Sequence, residues 1–272
     1  MASEPAATPL LLAVPPSARE ALTSAEARWS AIPLAIVVGA EVAFVLGGLQ
    51  EGAAASSLAL VALLTLGALR RGRPGGSAAI ALATIPLLRV LSIALPSLLV
   101  PVWLWYAEIG LLVILATMLA ARMIPFDLRA LVLRPVRPAD TLLAAGAGLP
   151  LGLLAMVIAG TPALGMDRSF ATLLLASVAV IVGGALAEEL LFRGLVQGVA
   201  EGIVPRGGVA VAAGLSTLLY LATLNLRYVV LMAAVAVVLG MLTRRSGSIV
   251  PAVACHAALL WSQVILWPAL LG

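Results

Sequence analysis

The sequence predicts an all-α fold, a polytopic transmembrane helical bundle of about 8–9 spans. Hydrophobic residues make up 63% of the 272 and charged ones 10%, with a mean hydropathy of +1.17, beyond what a domain with a polar surface carries. The apolar residues also fall into repeated stretches of about 17 to 23, each near the ~20 residues that cross a hydrocarbon core as a helix. Between those stretches stand arginines, which in this setting report orientation.

Residues 1–28 are rich in Ala, Pro, Ser and Glu, lack a basic start, and hold only a short apolar patch, Leu10 to Val14, before Pro15 and Pro16. They predict a flexible or surface-lying tail with no cleaved signal peptide. Apolar windows then lie near 31–50, 53–69, 77–99, 102–121, 141–160, 170–188, 208–225, 228–243 and 248–270. Nine spans is the resulting count, with an uncertainty of one. The basic, proline-containing stretch 122–140 separates a four-span half, 29–121, from a C-terminal core, 141–272.

If the spans alternate, Arg70, Arg71 and Arg73, then Arg122, Arg129, Arg134 and Arg137, and finally Arg244 and Arg245 share one face. That face is expected to be cytoplasmic, with the N-terminus inside the cell membrane. Trp29, Trp103, Trp105, Tyr106, Tyr228 and Trp267 lie near span ends and read as interfacial belts. The net charge of +4 therefore marks topology, and no nucleic-acid partner is expected. The single cysteine, Cys255, excludes an intrachain disulfide and a cysteine-rich metal site.

An ionisable side chain in mid-bilayer costs at least ~2.5 kcal/mol, so each needs a partner, a wet cavity or a function. Glu41, Arg89, Glu188, Glu189, Arg193 and His256 qualify; Glu108 falls nearer the outer interface, beside Trp103 and Trp105. Glu41 and Arg89 sit at similar depths in spans that run the same way. They are expected to pair, either as a structural tie or as part of a passage.

The stretch GGALAEELLFRG, 183 to 194, concentrates the rest. On a helix Glu189 and Arg193 are four apart and share a face, whereas Glu188 is turned by ~100° from Glu189. One carboxylate is then neutralised and the other is free to act as a general base toward water. The plainer alternative makes EELLFR the polar end of a span, with both acids reaching headgroup water.

AEELLFRG resembles the EExxxR signature of the CPBP family, the CAAX prenyl endopeptidases and bacteriocin-processing intramembrane proteases. The likeness continues through 214–226 and 229–257 and ends at the short basic turn before the span that bears His256. It implies that Glu188 activates the attacking water, that Glu189 and Arg193 hold the helix and tune the field, and that His256 assists. Two positions depart from the pattern. The family's aromatic residue is followed four positions later by histidine, but Tyr220 is followed by Leu224, with Asn225 standing in only if the helix is locally rewound. Its last histidine is followed four later by Asn or Asp, here Leu260, with Gln263 on the same face one turn on.

The loss of one oxyanion donor typically costs ~3 to 4 kcal/mol of barrier, so slow or absent catalysis is expected. A catalytic zinc takes three protein ligands rich in His, and Glu188, Glu189 and His256 do not make that set; no cofactor or metal is expected. Two functions remain open. One is an intramembrane endopeptidase acting on a hydrophobic or lipidated peptide. The other is a non-catalytic relative that binds a partner membrane protein as scaffold, chaperone or complex subunit, held among membrane lipids in either case. A transporter built on Glu41, Arg89 and Glu108 is disfavoured by the absence of an evident inverted repeat.

Overall fold

The computed structural model describes residues 24–95, 101–129, 134–160 and 169–271, all as helices and short connections. In chain order the helices are α1 (Ser24–Gly47), α2 (Leu49–Leu69), α3 (Pro74–Ala94), α4 (Val102–Met123), α5 (Pro138–Ala159), α6 (Phe170–Ile203), α7 (Gly208–Tyr220), α8 (Leu226–Ser246) and α9 (Val250–Leu271). The expected tail lies largely in 1–23, outside the described residues, and Ser24 already opens α1.

Among the described residues eight helices are long and apolar enough to cross a membrane, and α7 is not one of them. The chain is a polytopic membrane protein. Expectation and structure differ at 208–225. There a tight turn, Leu221–Thr223, closes α7, and Leu224 takes a left-handed conformation with φ 52° that stops the helix. Hydropathy sees a continuous apolar run, because nothing in composition marks a backbone reversal made by a leucine. Leucines and valines such as Leu58, Val61, Leu142, Leu143 and Val157 stand exposed around the outside, as a lipid-facing surface requires.

The largest difference concerns α6, which the apolar window ends at Glu188. The helix runs on to Ile203, so Glu188 and Glu189 stand within it and the reading of a polar span end is corrected. Charge ended the window, but backbone hydrogen bonding did not stop. Two stretches of α6, Ala179–Leu186 and Leu190–Val196, are wound as π-helix, and the acidic pair occupies the α-helical turn between them. Such widened turns recur at functional sites because they re-aim side chains within a continuous helix.

Small residues set the close crossings. A Cβ on Gly110 of α4 would collide with the Gly183 backbone of α6, and one on Gly183 would collide with the Tyr106 carbonyl. Gly148 and Gly152, a GxxxG pair on α5, lie equally close to Cys255 and Leu259 of α9. The connection after α4 is packed rather than loose, with Leu128 over Gly194 and Phe126 over Gly198.

Arg134 lies beside Gly247, bringing the connection before α5 to the end of α8, and Trp29 stacks under the Arg70 guanidinium at 4.2 Å, bringing the start of α1 to the end of α2. Glu41 and Arg89 form a two-pronged ion pair, with Arg89 Nε 3.3 Å from Oε1 and Nη2 on Oε2; Phe44 lies against the guanidinium. Arg89 Nη2 also donates to the Leu219 carbonyl at 3.3 Å, which ties α1 and α3 to α7. These bonds make the pair a tie between three helices.

Candidate functional site

The middle of α6 faces α8 and α9 through polar side chains spaced four apart. Arg193 Nη1 lies 3.2 Å from Glu189 Oε1, while Arg193 Nη2 donates to the Ala236 carbonyl at 3.2 Å. One turn on, the Gln197 amide donates to the Gly240 carbonyl and to Glu201 Oε1, both at 3.0 Å. Ala236 precedes the end of α8 at Ser246 by a distance of ~15 Å at 1.5 Å per residue, so Arg193 meets α8 near the middle of its length.

Glu189 is wholly buried and shares its Oε1 with a second partner, His256 Nδ1, at 2.8 Å. A carboxylate only accepts, so Nδ1 carries a proton, and in the neutral imidazole Nε2 then presents a lone pair. That Nε2 is buried, makes no hydrogen bond, and lies 4.0 Å from Glu188 Oε2. Glu188 is the accessible acid, 28% exposed against 0% for Glu189. Atoms 4.0 Å apart can both lie at the ~2.8 Å hydrogen-bond distance from one bridging oxygen. The arrangement can hold a water between a free carboxylate and an imidazole, with the imidazole fixed by a second carboxylate.

Glu188, Glu189, Arg193 and His256 therefore come together, although His256 is far along the chain. Asn225 does not join them through its side chain. It caps α8, its Oδ1 accepting from the Tyr228 backbone N–H at 3.2 Å and its Nδ2 donating to the Ile158 carbonyl at 3.0 Å. The rewinding needed to aim Asn225 at the site is absent, and the chain instead leaves the helix at Leu224, one residue earlier. Leu224 is 81% exposed and fills no part of the site, whereas Leu260 is buried and rests on Gly184.

Sequence reasoning named Tyr220 only as the aromatic of a family motif and gave Tyr106 and Tyr228 no place beside the site. Tyr220 OH donates to Glu188 Oε2 at 3.2 Å. Tyr106 and Tyr228, expected near span ends, both face neighbouring helices: the Tyr106 ring lies over Gly184, and Tyr228, 8% exposed, packs edge-on against Tyr220. A span end is also where a helix can reach over a submerged site, so nearness to the end did not decide the direction. The available signal was Gly110, four after Tyr106, which marks the face of α4 that meets α6.

Among the described residues, no group of three or more His, Cys, Asp or Glu could hold a metal ion. A family model described as Type II CAAX prenyl endopeptidase Rce1-like matches residues 170–261, from the start of α6 into α9. That interval contains Glu188, Glu189, Arg193, Tyr220, Tyr228 and His256 and leaves out α1 to α5. No curated protein and no solved structure matches the chain.

Proposed function

We propose that this protein is an intramembrane endopeptidase of the CAAX type, with Glu188 as general base toward water, His256 assisting, and Glu189 and Arg193 fixing the imidazole and the helix. The observation that carries this reading is the 4.0 Å approach of Glu188 Oε2 to His256 Nε2, with Arg193 spent on the other acid. A base that is neutralised by a guanidinium would be inert; this one is left free and partly accessible. The partial family match over 170–261 supports the same chemistry.

The substrate class is a hydrophobic or lipidated peptide delivered from the bilayer, because the base sits among membrane-spanning helices. The protein resides in the cell membrane with its N-terminus and the arginine-rich connections in the cytoplasm. Membrane lipids are its surroundings, and nucleic acid is no partner.

A second reading, a non-catalytic scaffold or chaperone for another membrane protein, draws on buried Leu260, which stands where the family carries a polar residue. The two are separated by wild-type and Glu188→Gln chains in liposomes, given a fluorogenic peptide whose farnesylated cysteine is followed by three residues. Cleavage by wild type and none by the variant is the expected result. Equal signals from both would remove the hydrolase reading.

A further inference from the structure

Four helices leave a cavity between them at one end of the bundle, away from the acidic pair. It measures about 190 Å³, and its walls are apolar: Ala31 and Leu34 of α1, Ala81 of α3, Val196 and Ala200 of α6, and Val211 of α7. Val196 lies eight residues past Glu188, ~12 Å along α6, and the cavity continues from there to Val204, just past the helix end. Ala31 and Val204 are both exposed and form its rim. Among the described residues one polar side chain lines it, Ser30, whose hydroxyl is buried without a hydrogen-bond partner.

Arginine reaches that rim from two sides. Arg206, exposed in the turn between α6 and α7, is two residues from Val204, so their backbones are no more than ~7 Å apart. Across the rim Trp29, two residues from Ala31, lies against the first turn of α3, where a Cβ on Gly75 would approach the Trp29 carbonyl to 3.1 Å. The Arg70 guanidinium sits 4.2 Å from the Trp29 ring, which brings a second positive charge to the same end. Glu201, the last acid of α6, does not line the cavity; its Oε1 accepts from the Gln197 amide, which also reaches the Gly240 carbonyl of α8.

We propose that this cavity binds an anionic phospholipid, with part of one acyl chain seated between α1, α3, α6 and α7 and the phosphate at Arg206. Size selects a chain segment. An apolar cavity of ~150 Å³ holds a molecule such as benzene, and a complete small-molecule ligand needs ~300 Å³ or more, so this one takes a piece of hydrocarbon whose remainder lies outside. The bilayer supplies such chains beside every lipid-facing opening. Polarity selects the rest of the molecule. A phospholipid carries an ester carbonyl between chain and phosphate, an acceptor for the Ser30 hydroxyl, whereas a prenyl thioether offers only sulfur, a weak acceptor. An anionic headgroup suits the arginines, since a guanidinium pairs with phosphate through parallel N–H bonds. The site does not depend on the hydrolase reading.

The test titrates the full chain in detergent with dioleoyl phosphatidylglycerol or dioleoyl phosphatidylcholine and counts bound lipids by native mass spectrometry. One phosphatidylglycerol is expected to bind ahead of the rest, and more tightly than phosphatidylcholine. Arg206→Gln is expected to weaken it ~5-fold, the contribution of one arginine near a membrane surface, and to leave phosphatidylcholine unchanged. Ala200→Phe fills the cavity and should abolish the first binding step for both lipids. Equal affinity of the wild type for the two lipids, or unchanged binding by Ala200→Phe, would overturn the proposal. Should Ala200→Phe not fold, the unaltered chain is photolysed with a phosphatidylglycerol that carries a diazirine at the end of one acyl chain. Adducts are expected within 30–34, 78–82 and 196–211; adducts confined to other segments would overturn the site. Protection of those segments by the farnesylated peptide would assign the cavity to substrate and overturn the lipid. Glu188→Gln is expected to bind phosphatidylglycerol as the wild type does, whatever its effect on hydrolysis.

Discussion

Glu189 and His256, on α6 and α9, meet through a 2.8 Å hydrogen bond between Oε1 and Nδ1 in a fully buried setting. The same carboxylate oxygen faces Arg193, so one acid neutralises a guanidinium and orients an imidazole. This relationship leaves the neighbouring Glu188 free, and it is the least replaceable feature of the arrangement.

Glu189→Leu is accordingly expected to destabilise the fold by ~3 to 5 kcal/mol, because it strands a buried guanidinium. The double variant Glu189→Leu/Arg193→Leu is expected to recover much of that loss. Thermal unfolding in detergent checks the pair; equal stability for single and double variants would contradict an uncompensated charge as the cause.

The Glu41–Arg89 pair supplies a parallel case away from the site. Arg89→Met leaves Glu41 buried at 1% exposure without its partner and is expected to cost ~3 to 5 kcal/mol. Hydrolysis per folded molecule should be unchanged, which an activity assay normalised to the folded fraction reads directly.

Asn225→Ala removes the cap of α8, and ~1 kcal/mol of stability is expected to go with it. Turnover of the fluorogenic peptide is expected to stay at the wild-type rate. A large loss of kcat at unchanged stability would return Asn225 to the reaction.

Gly110→Val drives a side chain into the Gly183 backbone at the crossing of α4 and α6. Backbone cannot be displaced cheaply, so the loss should reach or exceed the ~1 to 3 kcal/mol of ordinary overpacking. Gly146→Ala, where a Cβ meets nothing within 4 Å, serves as the control and should be neutral in yield and melting temperature.

Orientation is checked by single cysteines in a Cys255→Ala background, labelled in intact cells with a membrane-impermeant maleimide. Cysteines replacing Arg71 and Arg245 are expected to react only after the membrane is opened, and one replacing Gln50 to react in intact cells. The reverse pattern would invert the topology.

Composition, spacing and charge determined that this chain is a helical membrane bundle, where most of its helices lie, and which ionisable side chains stand out from the apolar background. Those properties are local, and the cost of charge in hydrocarbon makes each exception conspicuous. Periodicity could not say which way Tyr106 and Tyr228 turn, since the lipid-facing and core-facing sides of a membrane helix are both apolar. Nor could it show that α6 continues past its acids to Ile203 or that Leu224 ends α7, because backbone hydrogen bonding can override local hydropathy. Spacing already paired Glu189 with Arg193, but only tertiary structure decided that His256 takes the same glutamate, since that choice depends on how α9 packs against the α-helical turn set between two widened ones.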